Sequence, residues 1–306
     1  MALTWSTEQR NPDTTDIDTL DSAGIVEAII AADATVAAAV QAVSAKIGAA
    51  VDLAVAAIAA GGRVHYVGAG TSGRLGVLDA VELFPTYRVG ADVVTAHLAG
   101  GEAAMMRAVE GAEDDAQAGA ALVDEAGDDD LFVGIAASGR TPFVRGALEA
   151  AQARGLPTVL VSNNPAAPVA EFARVAILPD TGPEVVTGST RMKAATAQKM
   201  VLNTLSTATM IRLGKTYQNL MINVVATNEK LERRMVQLVV QAAQVDEERA
   251  AGLLREAGGD LRVAVIAALA GVEVSAAAQA AGQFPPDPQR LGDPAGVRSA
   301  VDSLAR

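Results

Sequence analysis

Two stretches of the chain place glycines and hydroxyl side chains directly after a short apolar segment. The first carries Gly70, Thr71, Ser72 and Gly73, and the second carries Ser138, Gly139, Arg140 and Thr141. Glycines let backbone N–H groups approach a ligand closely, and the positive start of a following helix favours an anion. Parallel strands bring such turns to one edge of a sheet, so we predict that both turns bind a phosphorylated small molecule.

The first turn has two alternative interpretations. Glycines 68, 70 and 73 have the Gly-x-Gly-x-x-Gly spacing typical of dinucleotide-binding folds, which also need an acidic residue where the next strand ends. This chain has a histidine and a leucine at that point, and its acidic Asp92 precedes the strand. A purely structural turn is the other alternative. The paired hydroxyls and the second, similar turn favour a phosphate monoester.

Two glutamates have the spacing of inward-facing helix positions. Glu82 follows two leucines by four and seven residues, and Glu113 follows Val109 and Met106 at the same intervals. These intervals predict that both carboxylates face inward. A carboxylate among apolar side chains favours its protonated form, and two such groups can divide the roles of acid and base. For any single glutamate, a solvated surface position is the alternative interpretation.

A third cluster, residues 182–193, combines turn formers, hydroxyls, a carboxylate and two cations where a long helix begins. We predict that Ser189 and Thr190, with the N–H groups of the helix start, hydrogen-bond the sugar or the phosphate. Arg191 or Lys193 would supply the positive charge that an anion needs in an acidic protein. The alternative is a helix capped by Ser189 or Thr190 with its cations on the surface.

The composition limits the chemistry available to the 306-residue chain. It contains no cysteine and only two histidines, far apart in the sequence, so we expect neither thiolate chemistry nor a metal site. A net charge of −12 without a basic stripe argues against a nucleic-acid partner. Charges and glycines interrupt the apolar runs, and the first residues do not resemble a signal peptide. We therefore expect a cytoplasmic protein without membrane contact.

Strand and helix patterns alternate through the centre of the chain, which predicts an α/β fold with a parallel sheet covered on both faces. The predicted strands are 64–67, 93–98, 131–135, 157–161 and 173–178. The predicted helices are 22–60, 74–84, 102–118, 142–153, 168–172, 187–213 and 220–243. We divide the chain into a polar arm (1–21), a sheet domain (22–245), and a small helical appendage with a Pro-rich tail (246–306).

Five segments together resemble the N-acetylmuramic acid 6-phosphate etherase family. This family belongs to the sugar isomerase (SIS) domain superfamily, which includes the glucokinase regulatory protein. The segments are 68–76, 99–102 with 109–114, 134–142, 182–199 and 224–231. The resemblance implies a three-layer SIS domain and a homodimer whose sites lie near the subunit interface, so that the arm and residues 182–193 would serve a partner's site.

The resemblance also implies a lyase that removes the D-lactyl ether of N-acetylmuramic acid 6-phosphate and yields N-acetylglucosamine 6-phosphate and D-lactate. In this family the sugar ring opens, a base removes the C2 proton, lactate leaves from C3, and water adds to the unsaturated aldehyde. No metal ion or organic cofactor takes part. By position, Glu82 matches the family's acid, Glu113 its second carboxylate, and Glu184 a sugar-contacting glutamate of the regulatory relative.

The residues around Glu82 depart from the family pattern. The family commonly has Ser-Glu-Cys-Pro where this chain has Val81, Glu82, Leu83 and Phe84. We expect the more apolar surroundings to favour the protonated acid and to alter the pH dependence of the reaction. The Pro-rich C-terminus departs from the family's helical end as well.

Two other functions stay open as alternatives. An aldose–ketose isomerase uses the same fold and the same proton abstraction, but it would interconvert sugar phosphates without releasing lactate. A non-catalytic sugar-phosphate sensor would generally carry a duplicated sugar-binding domain or a DNA-binding helix pair, and this sequence has the pattern of neither.

Overall fold

The computed structural model describes residues 6–224 and 229–305. The chain forms two compact units. The first comprises Met1–Val81 with Ala91–Ser206, and the second comprises Glu82–Gly90 with Thr207–Arg306. Compactness does not establish that either unit folds independently. The domain boundaries predicted after residues 21 and 245 therefore stay predictions.

A five-stranded parallel sheet forms the centre of the first unit. Its strands run in the order β2-β1-β3-β4-β5 and are β1 (Val64–Gly68), β2 (Val94–Leu98), β3 (Leu131–Ile135), β4 (Thr158–Val161) and β5 (Val175–Ile177). Each strand lies within two residues of its predicted position. Every residue of β1, β3 and β4 is buried, which is why these strands have continuous apolar runs rather than alternation.

The helices of the first unit cover both faces of this sheet. They are α1 (Ser22–Asp33), α2 (Val36–Ala42), α3 (Ser44–Ala59), α4 (Gly70–Tyr87), α5 (Ala103–Met106), α6 (Ala116–Ala121), α7 (Pro142–Ala153) and α8 (Lys193–Arg212). α7 packs its Val144 and Leu148 against Phe132 on one face. On the other face, Gly76 of α4 lies against Tyr66 and Ile135. The predicted three-layer α/β architecture is confirmed.

Three predicted helices of the first unit differ from the structure. The stretch 22–60 forms three helices, α1 to α3, rather than one. The stretch 102–118 contains only the short α5, a 3-10 turn at Ala112–Asp114 and the start of α6. Gly111, inside the predicted range, has a φ of +73°, which an α-helix does not contain. The predicted helix 168–172 is a 3-10 helix.

The second unit is a helical cluster. It contains the hairpin of β6 (Thr216–Tyr217) and β7 (Leu220–Met221), followed by α9 (Glu229–Ala243), α10 (Glu247–Glu256), α11 (Leu261–Ala270), α12 (Val274–Gln283) and α13 (Val297–Leu304). The hairpin takes the place of the beginning of the predicted helix 220–243. Residues 225–228, which belong to the segment 224–231, lie outside the described residues. The helical character predicted for the region after residue 245 is confirmed by α10, α11 and α12.

By length and composition alone, one helical stretch of the described chain, Ser22–Ala42, matches a membrane span. The sharply bent pair α11 and α12 would count as a second. Core helices of soluble proteins and N-terminal signal sequences meet the same criterion; the first stretch is 11% buried, and a turn at residues 34–35 divides it into α1 and α2. The absence of membrane contact stays a prediction.

Candidate functional site

The two hydroxyl-bearing turns lie side by side. They follow β1 and β3, which are neighbours in the sheet, with Gly68 in register with Ile135. Helix α4 begins at Gly70 in the first turn, and α7 begins directly after Thr141 in the second. The first N–H groups of each helix lack intrahelical acceptors and therefore favour an anion. The predicted placement of both turns at one edge of the sheet is confirmed.

Close backbone packing shapes the first turn. A Cβ atom on Gly73 would lie 2.5 Å from the carbonyl oxygen of Gly68, so no larger residue fits without movement of the backbone. Gly70 has a φ of +53° in the left-handed region. Ser72 is buried and Thr71 is half-buried, so both hydroxyls belong to the turn rather than to the outer surface.

Residues that the sequence analysis missed support the second turn. Asn164 Nδ2 donates a 3.0 Å hydrogen bond to the carbonyl of Ser138, and Ser162 Oγ donates one of 3.1 Å to the carbonyl of Ala137. Both side chains are at most 1% exposed and directly follow β4. Three polar residues after a buried strand are the signal that would have revealed them. Gly139, with a φ of +67°, completes the turn, and Arg140 is exposed.

The inward placement predicted for Glu82 is wrong for the single chain. Glu82 is exposed, and its helical neighbours Leu78 and Val81 are 43% and 59% exposed. The buried face of α4 instead contains Gly73 and Gly76, because glycines allow the helix backbone to approach the sheet. The leucine spacing does mark an apolar face of α4, but that face points away from the sheet.

A buried carboxylate, Asp79, lies on the sheet-facing side of the same helix. It is 4% exposed and accepts hydrogen bonds from Tyr66 Oη at 3.1 Å, Asn203 Nδ2 at 2.6 Å and Ser206 Oγ at 3.1 Å. Burial raises the pKa of Asp79 and, with the nearby carboxylate, raises the pKa of Tyr66 well above its usual value. Asp79 thus ties α4 to β1 and α8.

The predicted inward position of Glu113 is wrong as well. Glu113 lies in the 3-10 turn Ala112–Asp114, directly after the left-handed Gly111, and its side chain is exposed. Residues Met106 and Val109, whose spacing suggested a shared helical face, are 88% and 43% exposed. Apolar spacing that crosses Gly111, with its φ of +73°, does not define a helical face.

A buried carboxylate of the protein itself, that of Glu184, binds the start of α8. Glu184 is 0% exposed, and its two carboxylate oxygens accept hydrogen bonds from the backbone N–H groups of Lys193 at 3.0 Å and Ala194 at 2.9 Å. The Lys193 ammonium is buried and donates to the Thr181 carbonyl at 2.8 Å. Glu184 therefore caps this helix, and the predicted cap by Ser189 or Thr190 is wrong because the helix begins only at Lys193.

This arrangement alters the prediction for residues 182–193. The N–H groups of Lys193 and Ala194 bind Glu184, so they are not open to a substrate. Ser189 is half-buried and Arg191 is exposed, and nothing in the structure tests their contact with substrate. The sugar contact inferred for Glu184 from the family resemblance likewise stays a prediction.

The two histidines meet in the sheet despite their separation in sequence. His65 Nδ1 lies 2.9 Å from His97 Nε2, and His65 Nε2 lies 2.8 Å from Asp130 Oδ2. Burial lowers the pKa of His65, and burial together with the charges of His65 and Arg63 lowers the pKa of His97 to about 4. Among residues 6–224 and 229–305, no three His, Asp or Glu side chains form a group suited to a metal ion.

Comparisons with known proteins identify relatives across most of the chain. Models of the glucokinase regulatory protein N-terminal SIS domain and of the SIS domain match residues 46–152 and 103–208. N-acetylmuramic acid 6-phosphate etherase 2 of Vibrio cholerae is 51% identical over 87% of both chains. The etherase of Symbiobacterium thermophilum is 52% identical over 87% of this chain and 89% of its own. A phosphoheptose isomerase structure from Francisella tularensis aligns with a TM-score of 0.49 and 18% identity, covering 64% of this chain and 99% of that one.

Proposed function

Because this chain belongs to the N-acetylmuramic acid 6-phosphate etherase family, we propose that it cleaves the lactyl ether of N-acetylmuramic acid 6-phosphate. The products would be N-acetylglucosamine 6-phosphate and D-lactate, as in cytoplasmic recycling of bacterial cell-wall sugars. The observation that carries this proposal is identity of 51% over 87% of the chain to a relative named for the activity. The two adjacent hydroxyl-bearing turns support it, since they offer a place for the substrate's phosphate.

In the proposed mechanism, the turns at 70–73 and 138–141 bind the phosphate through backbone N–H groups and the hydroxyls of Thr71, Ser72, Ser138 and Thr141. The sugar opens to its aldehyde, and a carboxylate removes the C2 proton, which the neighbouring carbonyl acidifies. A second carboxylic acid protonates the departing lactate oxygen, and water then adds at C3. Carboxylates alone can carry out both proton transfers.

We assign these proton transfers to Glu82 and Glu113, and we propose that a second copy of the chain shields them from water. Both side chains are exposed in one chain. Glu82 lies beside the exposed Leu78 and Val81, and α1 presents Val26 and Ile30, which are 52% and 63% exposed. Exposed apolar stripes of this kind are typical of interfaces, and a symmetric homodimer would cover them.

The activity is tested with purified protein and N-acetylmuramic acid 6-phosphate in an assay for D-lactate. Release of lactate is expected, and Glu82→Gln and Glu113→Gln should each reduce kcat at least about 100-fold, within the range for loss of an acid or base. Glu110→Gln is the matched control, because Glu110 is exposed on the same segment as Glu113. Interconversion of aldose and ketose phosphates without lactate would identify an isomerase, and binding without turnover would identify a sensor.

The homodimer is tested by analytical ultracentrifugation of the wild type and of Ile30→Asp. We expect a wild-type dimer, and we expect Ile30→Asp to shift it toward monomer with a parallel loss of lactate release. Lys46→Gln, an exposed change on α3, should leave both properties unchanged. A fully active wild-type monomer at assay concentration would contradict the shielding proposal.

A further inference from the structure

Arg74 makes an unusual set of contacts for a cation beside a predicted phosphate-binding turn. Its Nη2 donates to the carbonyl of Ala104 at 2.7 Å, and its Nε donates to the carbonyl of Met105 at 3.1 Å. A third acceptor, the carbonyl of Arg107, lies 3.5 Å from Nη2. The guanidinium therefore faces the end of α5, where carbonyl oxygens lack intrahelical donors and a positive charge is favourable.

The segment that Arg74 holds, residues 100–114, is attached to the rest of the first unit near its two ends: Arg74 and the buried Ala104 hold the beginning, and Ala112 packs against the core cluster of α7. Helix α5 has only four residues, too few to be stable by itself. Ala104 is buried, whereas every other residue from 101 to 111 is exposed. Left-handed glycines at positions 100, 101 and 111 allow the backbone to bend at both ends of the segment. The three hydrogen bonds from Arg74 are thus a principal attachment of the segment to α4.

Glu113 lies at the end of this segment, and α4 begins in the first phosphate-binding turn. We propose that Arg74 is a positioning residue, which holds Glu113 at a fixed place relative to that turn and does not bind phosphate. The proposal rests on the function assigned to Glu113 above. A lysine could not replace Arg74, because the planar guanidinium reaches several carbonyl oxygens at once whereas an ammonium is a single point of charge.

The test compares Arg74→Lys and Arg74→Gln with Arg107→Gln, an exposed arginine on the same segment. We expect both Arg74 variants to lower kcat about 10- to 100-fold with KM changed less than threefold, and Arg107→Gln to change neither. Hydrogen–deuterium exchange at residues 103–113 should accelerate in the Arg74 variants alone. Inhibition by inorganic phosphate should be unchanged, because the phosphate site does not include Arg74.

A double variant identifies the route of the effect. If Arg74 acts through Glu113, Arg74→Gln should cause little further loss of kcat in the Glu113→Gln background. A tenfold rise in KM and in the inhibition constant for phosphate, with unchanged exchange, would show that Arg74 binds phosphate and would overturn the proposal. Faster exchange with an unchanged kcat would also overturn it. Absence of lactate release by the wild type would instead refute the proposed function, and the exchange measurement would still report on the attachment.

Discussion

Glu184→Gln distinguishes a structural role of this carboxylate from a sugar-binding role. Glu184 is completely buried, and its two oxygens accept hydrogen bonds of 3.0 and 2.9 Å from the start of α8. Glutamine keeps one acceptor oxygen and turns an NH₂ group toward the other backbone N–H. One charge-assisted hydrogen bond is lost, and the backbone N–H and the facing NH₂ group are both left without an acceptor, so we expect a loss of roughly 2–3 kcal/mol in the free energy of unfolding.

Urea unfolding followed by circular dichroism measures this loss, and thermal unfolding should show a decrease in Tm of roughly 4–10 °C. The matched control is Glu149→Gln, which removes an exposed ion pair with Arg145. Such a pair contributes at most about 1 kcal/mol, so the control should hardly change the unfolding curve. The capping role is refuted if Glu184→Gln unfolds like the wild type but binds substrate at least ten times more weakly.

Three further predictions concern stability. Gly73→Ala should destabilise the protein by at least about 2 kcal/mol in urea, because its Cβ would lie 2.5 Å from the Gly68 carbonyl; Gly48→Ala, which meets nothing within 4 Å, should not destabilise it. Asp79→Ala removes the acceptor of Tyr66 Oη and Asn203 Nδ2 and leaves Ser206 Oγ only its 3.4 Å hydrogen bond to the Asn203 carbonyl. It should cost roughly 2–4 kcal/mol, and a cost below about 1 kcal/mol would contradict the network. The pKa of His97 is lowered from 6.5, its ordinary value, to about 4 in the folded protein. As pH falls, the imidazole is therefore protonated in the unfolded chain before it is protonated in the folded one. Unfolding free energy should therefore fall by about 2–3 kcal/mol between pH 6.5 and 4, less in His97→Gln, as measured by urea titrations at several pH values.

The sheet could be predicted from the sequence because its strands have a strong local signal. The apolar runs that form β1 and β3 are bounded by glycines and polar turns, and they are buried on both faces. The hairpin of β6 and β7 was missed, since strands of two residues are too short for any periodicity. The helix predicted at 102–118 is wrong because its apolar spacing crosses Gly111, which adopts a positive φ.

For the candidate site, the sequence predicted the two turns correctly, but it did not predict which side chains surround them or which face of α4 is buried. The residue types of both turns and their common edge follow from local sequence and from the geometry of parallel strands. The orientation of α4 does not, because the close approach of Gly73 and Gly76 to the sheet determined its buried face. Long-range partners were also invisible to local reasoning: Asp79 is 124 residues from Asn203 in the sequence. Such contacts depend on tertiary packing rather than on local pattern.

The carboxylate at the start of α8 has a consequence for ligand selectivity. A helix terminus neutralised by Glu184 offers a free anion neither attraction nor open donors. Dianionic inhibitors should therefore compete at the edge formed by β1 and β3 alone. Inorganic phosphate should saturate the protein with a stoichiometry of one per chain, and both substrate and product should displace it completely.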